Sequence, residues 1–129
     1  TVALLEGRVL QVREVEAGTA VGYGGTYITQ RPARLATINV GYADGVPRLL
    51  SNVGCVFAQQ RRLSIVGRVS MDSIQVEIGT LELSEGDWVE IFGPHVPIDE
   101  VAAQCQTISY EVLTGLGQRL ERTYLGDGA

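Results

Sequence analysis

Polar and apolar residues alternate through much of this chain, the pattern of strands that bury one face and wet the other. In EGRVLQVREV, Val9, Val12 and Val15 stand among polar neighbours, and the run ends at Ala17-Gly18, which predicts a strand followed by a turn. LATINVGY is rich in β-branched residues and stops at ADG, where Asp44-Gly45 is a strong turn signal. GCVFAQQRRLSIVGRV reads as two apolar arms around the polar tip QQRR, a hairpin. DSIQVEIG sets Ile74, Val76 and Ile78 on one face, and GDWVEIFG repeats the pattern with Trp88 or Val89 inward.

Helical signals gather near the C-terminal third. Asp99 is placed to cap a short helix over EVAAQCQ, and TISYEVLTGLG predicts a second one closed by Gly115 or Gly117. QRLERTYL alternates again and returns to the sheet. No repeat, low-complexity tract or linker interrupts the chain. Residues 1–129 therefore read as one mainly β domain, an antiparallel barrel or sandwich with one or two short helices near its C-terminal third.

Composition narrows the class. At 129 residues the chain can bury roughly two-thirds of its unfolded surface. A hydrophobic share of 45% with 19% charged residues fits a soluble globular domain. Apolar runs such as NVGCVFA are too short to cross a bilayer, and no charged, apolar leader opens the chain, so no membrane role is expected. A net charge of −5 and scattered arginines argue against nucleic acid. The start at Thr1 suggests a piece of a longer polypeptide. Cys55 and Cys105 lack metal-ligand spacing and read as buried free thiols in a reducing cytoplasm. All ten basic residues are arginine, so this chain has no lysine amine for covalent carbonyl chemistry.

The tyrosines, at 23, 27, 42, 110 and 124, are the first chemical candidates. A buried tyrosine is ordinarily a core aromatic with a satisfied hydroxyl. Tyr23 in VGYGG and Tyr42 in VGYADG each follow a glycine in a segment cleared by glycines, which suits either a presented side chain or a turn residue. In GRVSMDS, Met71 and Asp72 by themselves read as the start of a strand. His95, in the proline-flanked loop GPHVP without a neighbouring carboxylate, reads as a surface residue and not as part of a triad. No His cluster or Cys-x-x-Cys supports a metal site, and GYGG does not open a phosphate-binding helix.

Taken in series, VGYGGTY, NVGYADGVPR, VGRVSMD and ISYEVL, with a terminal RLER, resemble the C-terminal domain of alanine racemases, pyridoxal-phosphate enzymes. The likeness covers nearly the whole chain. It implies an N-terminal α/β barrel, outside this chain, that carries the lysine holding pyridoxal 5'-phosphate. It also implies a head-to-tail homodimer in the cytoplasm. The domain's partners would be the barrel domains of its own and the partner subunit and a small amino-acid substrate, L- and D-alanine being interconverted to supply peptidoglycan.

Racemisation removes a proton from one face of a carbon and returns one to the other, so two bases must flank it. By the resemblance, Tyr23 would be the catalytic base that takes the α-proton of L-alanine, with Gly22 standing where the family often has serine. A phenol ordinarily ionises near ~10, so this base would need cations nearby, expected on the barrel domain. Tyr27 matches the second tyrosine of the same motif. Met71 would bind substrate carboxylate through its backbone N–H, and Tyr42, Arg68 and Asp72 would line the substrate entryway. Tyr110 would hydrogen-bond the cofactor phosphate in its own subunit, while Tyr23 and Met71 would reach into the partner's site. Competing readings are a related PLP-dependent racemase or decarboxylase, the latter needing no second base, and a non-catalytic β-barrel binding module.

Overall fold

The structure, a computed structural model, describes residues 2–22, 25, 27–105 and 123–125. Its frame is the long strand β1 (Val2–Val15). Along its length β1 pairs antiparallel first with β9 (Thr123–Leu125), then with β8 (Trp88–Phe92), then with β4 (Ala33–Ile38). Register shifts inside the β8 ladder, between Leu5 and Glu6, and inside the β4 ladder, between Val9 and Gln11, bend the strand. Gly7 sits in this bend, where a Cβ would come within 2.5 Å of Ile38 Cγ2, so β1 crosses the core at a point with no room for a side chain.

The remaining strands complete a circuit. β5 (Cys55–Ala58) and β6 (Arg61–Val66) form a hairpin, β7 (Ile74–Glu77) joins β6 to β4, and β5 meets β8. The order β4-β7-β6-β5-β8-β1 closes through β1 and β4 into a six-stranded antiparallel barrel. Closure leaves these strands without open edges. The expected choice between barrel and sandwich is thus resolved. A small ladder of β2 (Ala20–Val21) and β3 (Tyr27–Ile28) stands apart from it.

The alternating residues of the sequence fill the barrel. Ile74, Val76 and Ile78 point inward together with Val56, Leu63, Ile65 and Ile91, each such burial contributing roughly 1.5–3 kcal/mol relative to exposure. A second cluster of Val21, Leu35 and Val66 lies under the β2–β3 ladder and anchors it to the barrel wall.

Local details differ from the sequence pattern. The hairpin tip is Gln59-Gln60 alone, both at positive φ (49° and 68°), the tight turn whose twist matches its strands; the arginines of QQRR begin β6. In β8, Val89 faces inward while Trp88 is exposed with the Arg8 guanidinium 4.9 Å above its ring. The helix α1 (Ile98–Gln104) opens at Pro97, which offers no side-chain cap, and Asp99 lies in its first turn, favourable to the helix dipole. The second predicted helix lies outside the described residues.

His95 is exposed, as expected, but it does have a carboxylate neighbour. Its Nδ1 is 3.0 Å from Glu90 Oε1, and the backbone N–H groups of His95 and Val96 donate to Glu90 Oε2 at 2.8 and 2.7 Å. The ring stacks on Phe57 with centroids 3.9 Å apart. Glu90, on β8, is near in space because the chain doubles back, Gly93 N–H donating to Val96 O.

Candidate functional site

The site is built on the loop that joins the antiparallel strands β6 and β7, residues 67–73, which two turns of the β4–β5 connection clasp. The first is a 3-10 turn, Tyr42–Asp44, which Gly45 terminates at φ +96°. Its Tyr42 and Ala43 N–H groups donate to the carbonyls of Ser70 and Met71 at 2.9 and 3.0 Å. No side chain fits between the two backbones, since a Cβ on Gly41 would collide with the Ser70 carbonyl. The second turn, Arg48–Leu50, leads into Ser51 and Asn52, which accept hydrogen bonds from Val69 N–H at 2.8 Å and Gly67 N–H at 2.6 Å.

A cavity of about 680 Å³ opens between these pieces, lined among the described residues by Tyr42, Arg48, Ser51 and the run Arg68 to Met71. The Arg48 guanidinium lies 4.1 Å above the Tyr42 ring, so each restrains the other at the rim. Tyr42 and Met71 are both exposed there. Two arginines, Arg48 and Arg68, stand in its lining within a chain of net charge −5. The Met71 N–H finds no acceptor among the described residues. An anionic group can use both features.

The β2–β3 ladder borders this loop. Gly22, at φ +79°, packs on the backbone of Gly67 and Arg68, where a Cβ would lie 2.9 Å from Arg68 N. The base of the ladder is tied by Gly18 N–H to Thr29 O, and by the Thr29 hydroxyl, which accepts from Thr19 N–H and donates to Glu16 O. Tyr23 itself lies outside the described residues, as does Tyr110. Of the other candidates, Tyr42, Arg68 and Met71 come together at the cavity, and Asp72 is exposed next along the chain, outside the lining. The sequence pattern does not single out Arg48 or Ser51. Their available signal was membership of the segment that follows the ADG turn.

A profile described as alanine racemase, C-terminal domain, matches residues 2–124. The chain belongs to the alanine racemase C-terminal domain family. Alanine racemase of Brucella canis is 53% identical over 129 residues, covering 96% of this chain and 32% of its own length. A catabolic alanine racemase of Agrobacterium fabrum is 48% identical, covering 98% of this chain and 34% of its own length. Among solved structures, alanine racemase from Bartonella henselae with covalently bound pyridoxal phosphate superposes with a TM-score of 0.90 at 48% identity, covering 95% of this chain and 34% of that one. The chain thus spans about a third of the length of the alanine racemases it matches.

Cys55, on β5, and Cys105, at the end of α1, are free thiols, the first half-buried and the second buried. Burial pushes the Cys55 thiol up, against the opposing pull of Arg62 and with help from Glu100; burial alone raises Cys105. Neither borders the cavity.

Proposed function

We propose that the chain is the C-terminal domain of a PLP-dependent alanine racemase that interconverts L- and D-alanine as a dimer. The observation that carries this reading is the convergence of Tyr42, Arg68 and Met71 on one cavity, beside the residue that precedes Tyr23. When bound, pyridoxal phosphate draws electrons from the amino acid's α-carbon and makes its proton removable. The chain has no lysine, which fits a cofactor anchored on another domain. Tyr110 would meet its phosphate.

In this reading the Met71 N–H holds the substrate carboxylate, Tyr42 and Arg68, joined by Arg48, line the way in, and Asp72 stands at its outer edge, beyond the cavity lining. Tyr23 takes the proton on the L face in the partner subunit's site. The N–H of Met71, without an acceptor among the described residues, and the two arginines suit a carboxylate, which is the chemical support for an amino-acid substrate. Physiologically, the domain would serve cytoplasmic supply of D-alanine for peptidoglycan. The similarity to catabolic alanine racemases at 52% and 48% identity favours, as a second role, consumption of one enantiomer as a nutrient.

Subunit mixing tests the shared site. One full-length subunit carries Tyr23→Phe and the other lacks the cofactor-binding lysine. If Tyr23 serves the partner, the hybrid dimer has one site with both bases and one with neither, and activity rises above that of either mutant homodimer. If Tyr23 served its own subunit, every hybrid site would lack one base. No gain after demonstrated subunit exchange would refute the arrangement.

A further inference from the structure

We propose that Asp44, which does not line the cavity, is a positioning residue that aims the Met71 N–H at the substrate carboxylate. The inference deepens the racemase reading and rests on it. Asp44 has no exposed surface, and its Oδ2 accepts the Gly41 N–H at 3.0 Å. A buried carboxylate forfeits its hydration and persists only where polar donors replace it. Here the return is geometric: the side chain closes the turn that Asp44 N–H to Gly41 O and Gly45 N–H to Tyr42 O also define, at 3.0 and 3.1 Å.

That turn holds both peptide planes flanking Met71 by their carbonyl edges. Tyr42 N–H grips Ser70 O, and Ser70 O shares one rigid, planar trans peptide with the Met71 N–H. Fixing the carbonyl therefore fixes the N–H, which points from the opposite edge of the same plane. Ala43 N–H grips Met71 O and removes the remaining freedom on the other side. Gly41, with no space for a Cβ against Ser70, lets the turn come close enough to do this. The chain of restraint runs from the Asp44 carboxylate through the turn to the Ser70–Met71 peptide, without Asp44 touching substrate.

The test uses the full-length, cofactor-loaded enzyme and Asp44→Ala. A carboxylate contact made equally in the ground and transition states acts on KM and leaves kcat nearly alone. The expected result is a KM for alanine raised roughly ten- to a hundredfold, the range for one hydrogen bond to a charged group. Competitive inhibition by propionate, which carries a carboxylate but no amine, should weaken by the same factor. Simple destabilisation would instead lower apparent kcat, through lost active molecules, at unchanged KM. Should Asp44→Ala fail to fold, replacing Tyr42 by its α-hydroxy acid deletes the N–H donor to Ser70 while keeping every side chain, and the same KM rise is expected. Unchanged KM and propionate inhibition in either folded variant, with an active parent enzyme, overturns the role of Asp44 alone. A parent enzyme without racemase activity overturns this proposal together with the racemase reading.

Discussion

At the scale of single residues, chemistry here follows surroundings more than residue type. Cys55 illustrates this. Burial disfavours its thiolate, Arg62 at 3.7 Å favours it, and Glu100 disfavours it again, leaving the thiol raised from the usual 9.0. The unfolded chain, with thiols ionising near that usual 9.0, gains charge first as pH rises. The contribution of both thiols to stability is therefore complete below about pH 9 and is lost as pH climbs through the folded-state values. Titration by thiolate ultraviolet absorbance should show both steps above that of free cysteine, and Arg62→Ala should move the Cys55 step further up. A Cys55 step below 9.0 would contradict the dominance of burial.

At the scale of elements, the strands themselves were legible in the sequence, and so was the inward face where burial is set by the strand's own sheet, but not where something else buries it. β7 reads directly because Ile74 and Val76 face the barrel while Gln75 and Glu77 are only half-buried. β8 does not, because Glu90 breaks the alternation: the loop carrying His95 and Val96 folds over it and supplies its donors. The pattern of one strand cannot announce a loop that returns from further along. For the same reason His95 looked isolated in sequence. The cavity was half legible: Tyr42, Arg68 and Met71 belong to recognisable motifs, whereas Ser51 joins through a fold-dependent bond to Val69. The Glu90 clasp also gives a measurable consequence. Glu90→Ala strands the buried Val96 N–H and weakens the hold on His95, and with about 1–3 kcal/mol lost per orphaned donor, urea unfolding should show a loss of about 2–4 kcal/mol. Glu90→Gln keeps one acceptor oxygen and should lose about half as much. An undisturbed midpoint in Glu90→Ala would mean that the loop does not depend on this carboxylate.

At the scale of the whole molecule, the proposed racemase reading gives this domain one side of a site, and the absence of lysine leaves the cofactor amine to another domain. The isolated chain should not racemise alanine, even with pyridoxal phosphate added, since it has no lysine to hold the cofactor in a site. Turnover by the isolated domain would sink the division of roles. The path of β1 bears on how the chain reaches its native state. Residues Val2–Leu4 pair with Thr123–Leu125, and Leu5–Arg8 with strand β8, so within this domain the earliest described strand waits for the latest ones. The β5–β6 hairpin, closed by two residues, can form within microseconds, while ladders this distant in sequence must first overcome a large loop-closure entropy. During synthesis β1 therefore carries unpaired hydrogen-bonding groups on its β8-facing edge for longer than any other part of the barrel, and this is the interval in which nascent chains are most exposed to pairing with one another.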